Sequence, residues 1–477
     1  MLNIHREHGN HVKTFLLTKD LAGEQRGETN PLRIAYCAFH GAGRRAVPRL
    51  LKEVGFPPEN VKRITEGGLD SLDGLFPSFR SDPGHEQQPD PGDPRAARTA
   101  VEAFKKQVAK EDHSWKYEDM DLLIGTDPDA DRCGVVVKVP ADQRQLYGGQ
   151  DWVLLPADSM WALLLWYRLN REIQEHGHVL EPEKKFVVLS HTTSDSIVLL
   201  ARKHGIGVIK TWVGFAALAA AVRDVWEHRP LPHLIEGRES LQSPLCHPFV
   251  CESQDMEGGR RSINIAAMEQ SNGYSILGGP PPDRRSLGVG GHVRDKDGTL
   301  AALLTAEVAA WAKRQGTTLY ELIDKYVFLD PAVGLFVNFY EPDPIDGEYP
   351  GIEGDRKKME ILRRTLGFFQ FASTGDLEIA GRKVTSAVIY RTGKYDKIYK
   401  PTYAFQFPDE GVRFYFGDEL NHLTVRPSGT GNSLRFHIQL HAPVTESNLI
   451  EKKRELFAAA KAMANHLREI LKAPRSL

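Results

Sequence analysis

The chain has 477 residues, 41% hydrophobic and 26% charged, enough for several buried cores and, at ordinary domain sizes, about three domains. Sixty-one basic residues against 63 acidic ones leave a formal net charge of −2, so no general electrostatic grip on nucleic acid or an anionic membrane is expected and any bound anion must be held locally. The longest apolar run, MWALLLWY at 160–167, is far short of a membrane span, and the opening MLNIHREHGNH is too polar for a signal peptide; the expectation is a cytoplasmic protein. Of the four cysteines, Cys37, Cys133, Cys246 and Cys251, none forms a CxxC pair. Cys246 and His247 with Cys251 make at most half a zinc site, and free structural cysteines in a reducing compartment are the expected reading.

In chain order, RIAYCAF (33–39) predicts a buried strand, and RRAVPRLLKEVGF then sets Val47, Leu50, Leu51 and Val54 at helical spacing. The stretch 76–95, rich in Pro, Gly and Asp, predicts an excursion loop. A helix with Val101, Phe104 and Val108 on one face leads into the strand DLLIG (121–125). FVVLS (186–190), the helix SDSIVLLARKHG and GVIK (207–210) predict a further βαβ unit. A long helix from Leu300 to about Arg314 closes this part. After Ala332 come strand-like LFVNFY, KVTSAVIY, VRFYF and SLRFHIQL and a last long helix from TESNLIEKK onward. The expected class is α/β: two mixed α/β domains, 1–150 and 151–330, followed by a smaller α+β domain, 331–477.

GTDPDADRCG (125–134) places Asp127, Asp129 and Asp131 at the carboxyl end of a strand, where α/β proteins put their ligands. Three carboxylates on one loop repel one another unless a cation sits among them, and their hard oxygens suit Mg2+ or Ca2+. An EF-hand fails, because its turn glycine would fall on Arg132 and its closing glutamate on Lys138. A solvated acidic turn with Asp127 capping a helix stays open as the alternative. Arg132 beside such a site is placed to fix a phosphate. Near the C-terminus, RPSGTGN offers Arg426, the hydroxyls of Ser428 and Thr430, and backbone amides opened by Gly429 and Gly431. No helix follows and GxxxxGK[ST] is missing, so it is no P-loop; a plain hairpin turn is the alternative. GAG at 41–43 is not a dinucleotide fingerprint, since GxGxxG is incomplete at Ala46.

GTDPDADR resembles the metal-binding loop of the α-D-phosphohexomutases, the phosphoglucomutase and phosphomannomutase superfamily, and RPSGTGN resembles their phosphate-binding loop. MEQSNGYSILGG (268–279), with GGHVRDKDG at 290–298, is similar to their sugar-recognition loop, and AYCAFHGAG and TWVGF resemble further landmarks. The resemblance implies two three-layer α/β domains and a smaller α+β domain, the second, third and fourth of the family. It implies Mg2+ held by Asp127, Asp129 and Asp131 and Arg132 acting on the reacting phosphate. Glu269 and Ser271 would read the sugar, and Arg426, Ser428, Gly429 and Thr430 would anchor the other phosphate. The implied reaction is reversible transfer of phosphate between C1 and C6 of a hexose phosphate, glucose 1-phosphate and glucose 6-phosphate foremost, through a phosphoserine and a bisphosphorylated sugar. The family's serine, in a TASHNP-like motif, has no counterpart here, and the opening resembles the end of domain one. A truncated or fragmentary mutase is therefore expected. Ser194 and Ser196 in HTTSDS match a structural segment and are not read as nucleophiles. Ala216, where the family often has Lys, and Gly431, where it often has Glu, bear on the choice of substrate. Two alternatives remain: a haloacid-dehalogenase-type phosphatase with Asp127 as nucleophile, and an inactive protein that binds sugar phosphates.

Overall fold

The computed structural model describes residues 3–18, 20–79, 89–110, 115–229, 256, 260–341, 349–372, 376–392, 408–428 and 433–474. The chain forms two compact units, Met1–Lys185 with Ile263–Val327 and Phe186–Ser262 with Phe328–Leu477.

The first unit is built on a five-stranded mixed sheet of β1 (Ile34–Cys37), β2 (Val61–Arg63), β3 (Leu122–Thr126), β4 (Cys133–Lys138) and β5 (Trp152–Leu154), in the order β2-β1-β3-β4-β5. β1 runs parallel to β2 and β3, whereas β4 is antiparallel to both β3 and β5. The apolar runs IAYC and LLIG are continuous rather than alternating because both faces of these strands are buried. On one face Ala35, Cys37, Leu123, Val136 and Trp152 share a core with Ala97, Ala100, Val101 and Phe104 of the helix Pro94–Lys110. Those four helical positions follow the i, i+3, i+4, i+7 rule, and Pro94 fits at the first turn, where its missing N–H is not needed. Phe104 is completely buried, a contribution of about 2 kcal/mol or more. The helix Gly298–Arg314 packs against β3 and β4 and the helix Gly43–Glu53 against β2 and Gly298–Arg314. Asp297 caps Gly298–Arg314, its carboxylate accepting from Thr299 N (2.7 Å) and Leu300 N (3.3 Å), while Lys313 and Arg314 complement the dipole at the other end. The stretch expected as an excursion loop carries the short turn Pro77–Phe79, and its central residues lie outside those described.

In the second unit the strands Lys185–Ser190 and Gly207–Thr211 pair in parallel and flank the helix Asp195–Lys203, as the βαβ reading expects. Ser194 caps that helix and is fully buried with Ser196, so neither hydroxyl is presented to a substrate. A five-stranded antiparallel sheet takes the order Leu335–Glu341, Leu434–Ala442, His422–Pro427, Gly411–Tyr415, Ser386–Tyr390. The helices Gly351–Ala372 and Leu449–Leu471 pack on it and on each other. Each of the four strand-like segments read after Ala332 supplies one strand of this sheet. Asp195 is buried in a polar knot: Lys210 pairs with it, Gln439 Nε2 donates to Oδ2 at 2.7 Å, and His422 Nε2 lies 3.3 Å from Oδ2.

Burial drives His191 and His422 of this unit toward neutrality. His191 is pushed down to about 4 and His422 to about 3, in each case by burial first. Below the unfolded value of 6.5 the unfolded chain takes up protons that the folded unit refuses, so stability falls as pH drops from about 6.5 toward 4 and is unaffected by these groups above it. The His191 shift alone corresponds to about 3 kcal/mol at the bottom of that range. Between pH 7 and 5 the parent chain should lose more of its urea midpoint than a His191→Asn variant does, since every other titrating group is common to the two; equal losses would rule the account out.

Candidate functional site

Residues 127–132 are the connection of the β3–β4 hairpin, in which Thr126 pairs with Cys133. No helix follows Asp127; the loop turns straight back into an antiparallel strand. Its closure is electrostatic. Asp127, 2% exposed, accepts from Arg132 N through Oδ1 (2.9 Å) and from Arg132 Nε through Oδ2 (2.6 Å). Arg132 Nη1 donates in turn to Asp90 Oδ2 at 2.7 Å. Ala130 takes a left-handed φ of 62° and donates its N–H to Asp127 O, which tightens the loop. The hairpin is gripped from both sides by glycines. A Cβ on Gly41 would sit 2.4 Å from Pro128 Cα, and one on Gly298 would sit 2.5 Å from Arg132 O, so both must lack a side chain. The GAG stretch thus serves backbone approach.

Asp127, Asp129 and Asp131 each offer a carboxylate oxygen, and these atoms lie within 4.8 Å of one another. Burial pushes the Asp127 carboxyl up, to about 7, against the pull of Arg132. Asp131 Oδ2 pairs with Lys296 Nζ at 3.1 Å, while its buried Oδ1 has no hydrogen-bond partner among the described residues. A buried carboxylate under desolvation, an orphaned oxygen and three hard donors within one ion's reach fit a divalent cation of the Mg2+ type.

The EQSNG stretch is the turn between the strands Ile263–Glu269 and Gly273–Ser275, with Glu269 opposite Gly273. Asn272, at φ 64°, joins this turn to the acidic hairpin: its Nδ2 donates to Cys133 O (2.9 Å), and Cys133 N donates to Asn272 O (3.1 Å). Arg132 bridges Gly273 on the same edge. Glu269 is 3% exposed, and its Oε2 and the Lys296 stem both lie over Gly273. Trp161 Nε1 fixes the Glu269 carbonyl at 2.9 Å, and Ser271 is half-buried. The structure therefore gathers Asp127, Asp129, Asp131, Arg132, Glu269 and Ser271 on one edge of the first unit. Asp90, Lys296 and Asn272 join them. Lys296 and Asn272 stand in the stretches GGHVRDKDG and EQSNG that the sequence singles out, and Asp90 sits in the loop read only as an excursion.

In the second unit Arg426 is the penultimate residue of the strand His422–Pro427 and is 8% exposed. Its Nε donates to Glu410 Oε2 at 3.1 Å, which also lies 3.1 Å from His191 Nε2. Burial raises the Glu410 carboxyl, but the contacts with His191 and Arg426 outweigh it and hold it at about 2. Ser428 N donates to Ser433 O at 2.8 Å, which closes the turn. Gly429 and Thr430 lie outside the described residues, as do Cys246, His247 and Cys251; Cys37 and Cys133 are buried and free. Nothing in the sequence marks Glu410 as Arg426's partner, because the pair is made across neighbouring strands.

Residues 10–140 match the family described as phosphoglucomutase/phosphomannomutase, alpha/beta/alpha domain II. A phosphoglucomutase of Staphylococcus aureus (strain MRSA252) is 24% identical over 413 residues, covering 86% of this chain and 57% of that protein. The phosphoglucomutase of strain N315 is likewise 24% identical, over 414 residues, with 86% and 57% covered. Parafusin, the exocytosis-sensitive phosphoprotein and phosphoglucomutase of Paramecium, superposes in its open form with a TM-score of 0.55 at 17% identity, covering 98% of this chain and 62% of that one. Residues 10–140 therefore carry the second domain of the phosphoglucomutase/phosphomannomutase family, and the chain as a whole is similar in fold to a phosphoglucomutase. It spans 57% of the length of the curated relatives it matches. Among the described residues no helix is long and apolar enough to cross a membrane.

The join at Asn272 is testable by itself. Asn272→Ala leaves the buried Cys133 carbonyl without its side-chain donor and should lower stability by about 1–3 kcal/mol in urea unfolding. An unchanged midpoint would show that the two hairpins hold together without it.

Proposed function

We propose that the chain carries the metal, sugar and distal-phosphate parts of a phosphosugar mutase, with phosphoglucomutase activity first and phosphomannomutase activity next. In this reading 1–150, 151–330 and 331–477 are the family's second, third and fourth domains. The phosphoserine comes from a region outside these 477 residues. The observation that carries the proposal is the joining of the two hairpins, which sets three carboxylates, a guanidinium and a sugar-reading Glu–Ser pair on one edge.

Asp127, Asp129 and Asp131 would hold Mg2+, which when bound neutralises charge on the phosphate being transferred. Arg132, already oriented through Asp127 and Asp90, keeps further N–H donors for a phosphate oxygen and stabilises the charge that builds there. Glu269 accepts from sugar hydroxyls and Ser271 donates, so that either end of the sugar can be presented in turn. Arg426, steadied by Glu410, and Ser428, Gly429 and Thr430 anchor the phosphate that does not react. The bisphosphorylated sugar must turn over between the two half-reactions, so the anchoring contacts have to accept either phosphate. Both oxygens of Asp127 accept from Arg132, which leaves the phosphatase reading with a poorly disposed nucleophile.

Two measurements test the proposal. Calorimetric titration with Mg2+ should show Asp129→Asn weakening binding at least about tenfold relative to the parent chain, as for the loss of a ligating carboxylate. Glucose 1,6-bisphosphate should bind the chain, and Arg426→Ala should weaken it by about 10- to 100-fold, the loss expected for a charge-assisted contact. Unaltered affinities in both variants would remove the metal and phosphate roles, and full mutase turnover by an otherwise complete enzyme carrying Asp129→Asn would do the same for the metal.

A further inference from the structure

A second group of metal-ligating side chains stands apart from the aspartate hairpin. His8 lies on the helix Ile4–Lys13, and His292 and Asp297 lie on the segment that leads into the helix Gly298–Arg314. One donor atom from each falls within 4.8 Å of the others. His292 Nε2 is 2.7 Å and His8 Nε2 is 3.2 Å from the same oxygen, Asp297 Oδ2. The other carboxylate oxygen is committed to the helix cap, which fixes the orientation of Oδ2 as an outer-shell partner fixes a metal ligand.

The His292 ring is fully buried, and its Nδ1 has no hydrogen-bond partner among the described residues. Its orientation is therefore set by packing and by the contact of Nε2 with the shared oxygen. His11, one turn beyond His8, stacks on His292 with centroids 5.1 Å apart and an interplanar angle of 25°, and its buried Nε2 is also unpartnered. Ligand atoms about 2.0–2.1 Å from a tetrahedral zinc stand roughly 3.3 Å apart, so the present separations need only a small outward movement. His8 is the more exposed of the two histidines, its side chain 39% accessible, which leaves a solvent side open for entry and for a water ligand.

We propose that His8, His292 and Asp297 form a second metal site that takes a transition-metal dication, Zn2+ foremost. Two imidazoles and one carboxylate are a donor set that prefers Zn2+ over Mg2+, whereas the aspartate hairpin has the reverse preference. The site ties the helix Ile4–Lys13 to the segment that carries Lys296, whose ammonium pairs with Asp131.

The test uses the full chain stripped with a chelator and then saturated with Mg2+ to fill the aspartate hairpin. Zn2+ is titrated calorimetrically, and Co2+ is added as a visible-absorption probe of coordination. The parent chain should bind Zn2+ and give an intense tetrahedral Co2+ spectrum. His8→Gln and His292→Asn should each weaken Zn2+ binding by about 10- to 100-fold, and Asp129→Asn should leave it unchanged. Circular dichroism melts report whether each variant is folded; His8 is exposed, so His8→Gln decides the matter if the buried variant does not fold. The proposal is overturned if the parent binds no Zn2+, if folded His8→Gln binds it as the parent does, or if binding disappears with Asp129→Asn.

Discussion

A carboxylate that is 2% exposed is tolerated in a protein only when its charge is answered, and Asp127 is answered twice by Arg132, through the backbone N–H and the guanidinium. That closure makes the β3–β4 hairpin a fixed object. It sets the direction in which Asp129 and Asp131 project, the side from which Asp90 reaches the guanidinium, and the edge against which the EQSNG turn lies. Gly41 and Gly298 permit this by letting backbone come within contact of the loop from two remote points of the chain. The arrangement is costly in isolation, since burial pushes the Asp127 carboxyl up to about 7, and a hard cation in the cluster would relieve that cost.

The second unit solves a similar problem differently. Arg426 is steadied by Glu410, which is steadied in turn by His191, while Arg413 Nη2 donates to the His191 carbonyl at 2.6 Å. Burial, helped by the nearby Arg413 and Arg426 guanidinium groups, keeps His191 neutral against the pull of Glu410. A neutral imidazole there supports Glu410 without adding a competing cation.

Much of this architecture was legible from the residues. The apolar runs at 33–39 and 121–125 and the helical spacing of Val101 and Phe104 report burial directly, because hydrophobic periodicity is set by the same packing that the structure shows. Strand direction was not legible. CGVVVK runs antiparallel to LLIGT, and nothing in an apolar run encodes which way its neighbour points; the six-residue connection between them was the only cue. Among the candidate residues, local clusters such as Asp127 to Arg132 announce themselves, since their charges must be reconciled within a few ångströms. Partners drawn from afar do not. Glu410 beside Arg426, Asp90 beside Arg132 and Asn272 on Cys133 are each fixed by tertiary placement, and each is an ordinary polar residue in its own stretch of sequence.

The first unit is assembled from two stretches of chain, Met1–Lys185 and Ile263–Val327, and the helix that covers β3 and β4 belongs to the later one. During synthesis the sheet is therefore complete well before its covering helix exists. Until Gly298–Arg314 emerges, the face of β3 and β4 that it covers stands open to water while residues 155–297 are still being added at roughly 5–20 residues per second. A nascent chain in this interval is a natural client for chaperones, and the late helix, rather than any strand, is the piece whose arrival seals the unit.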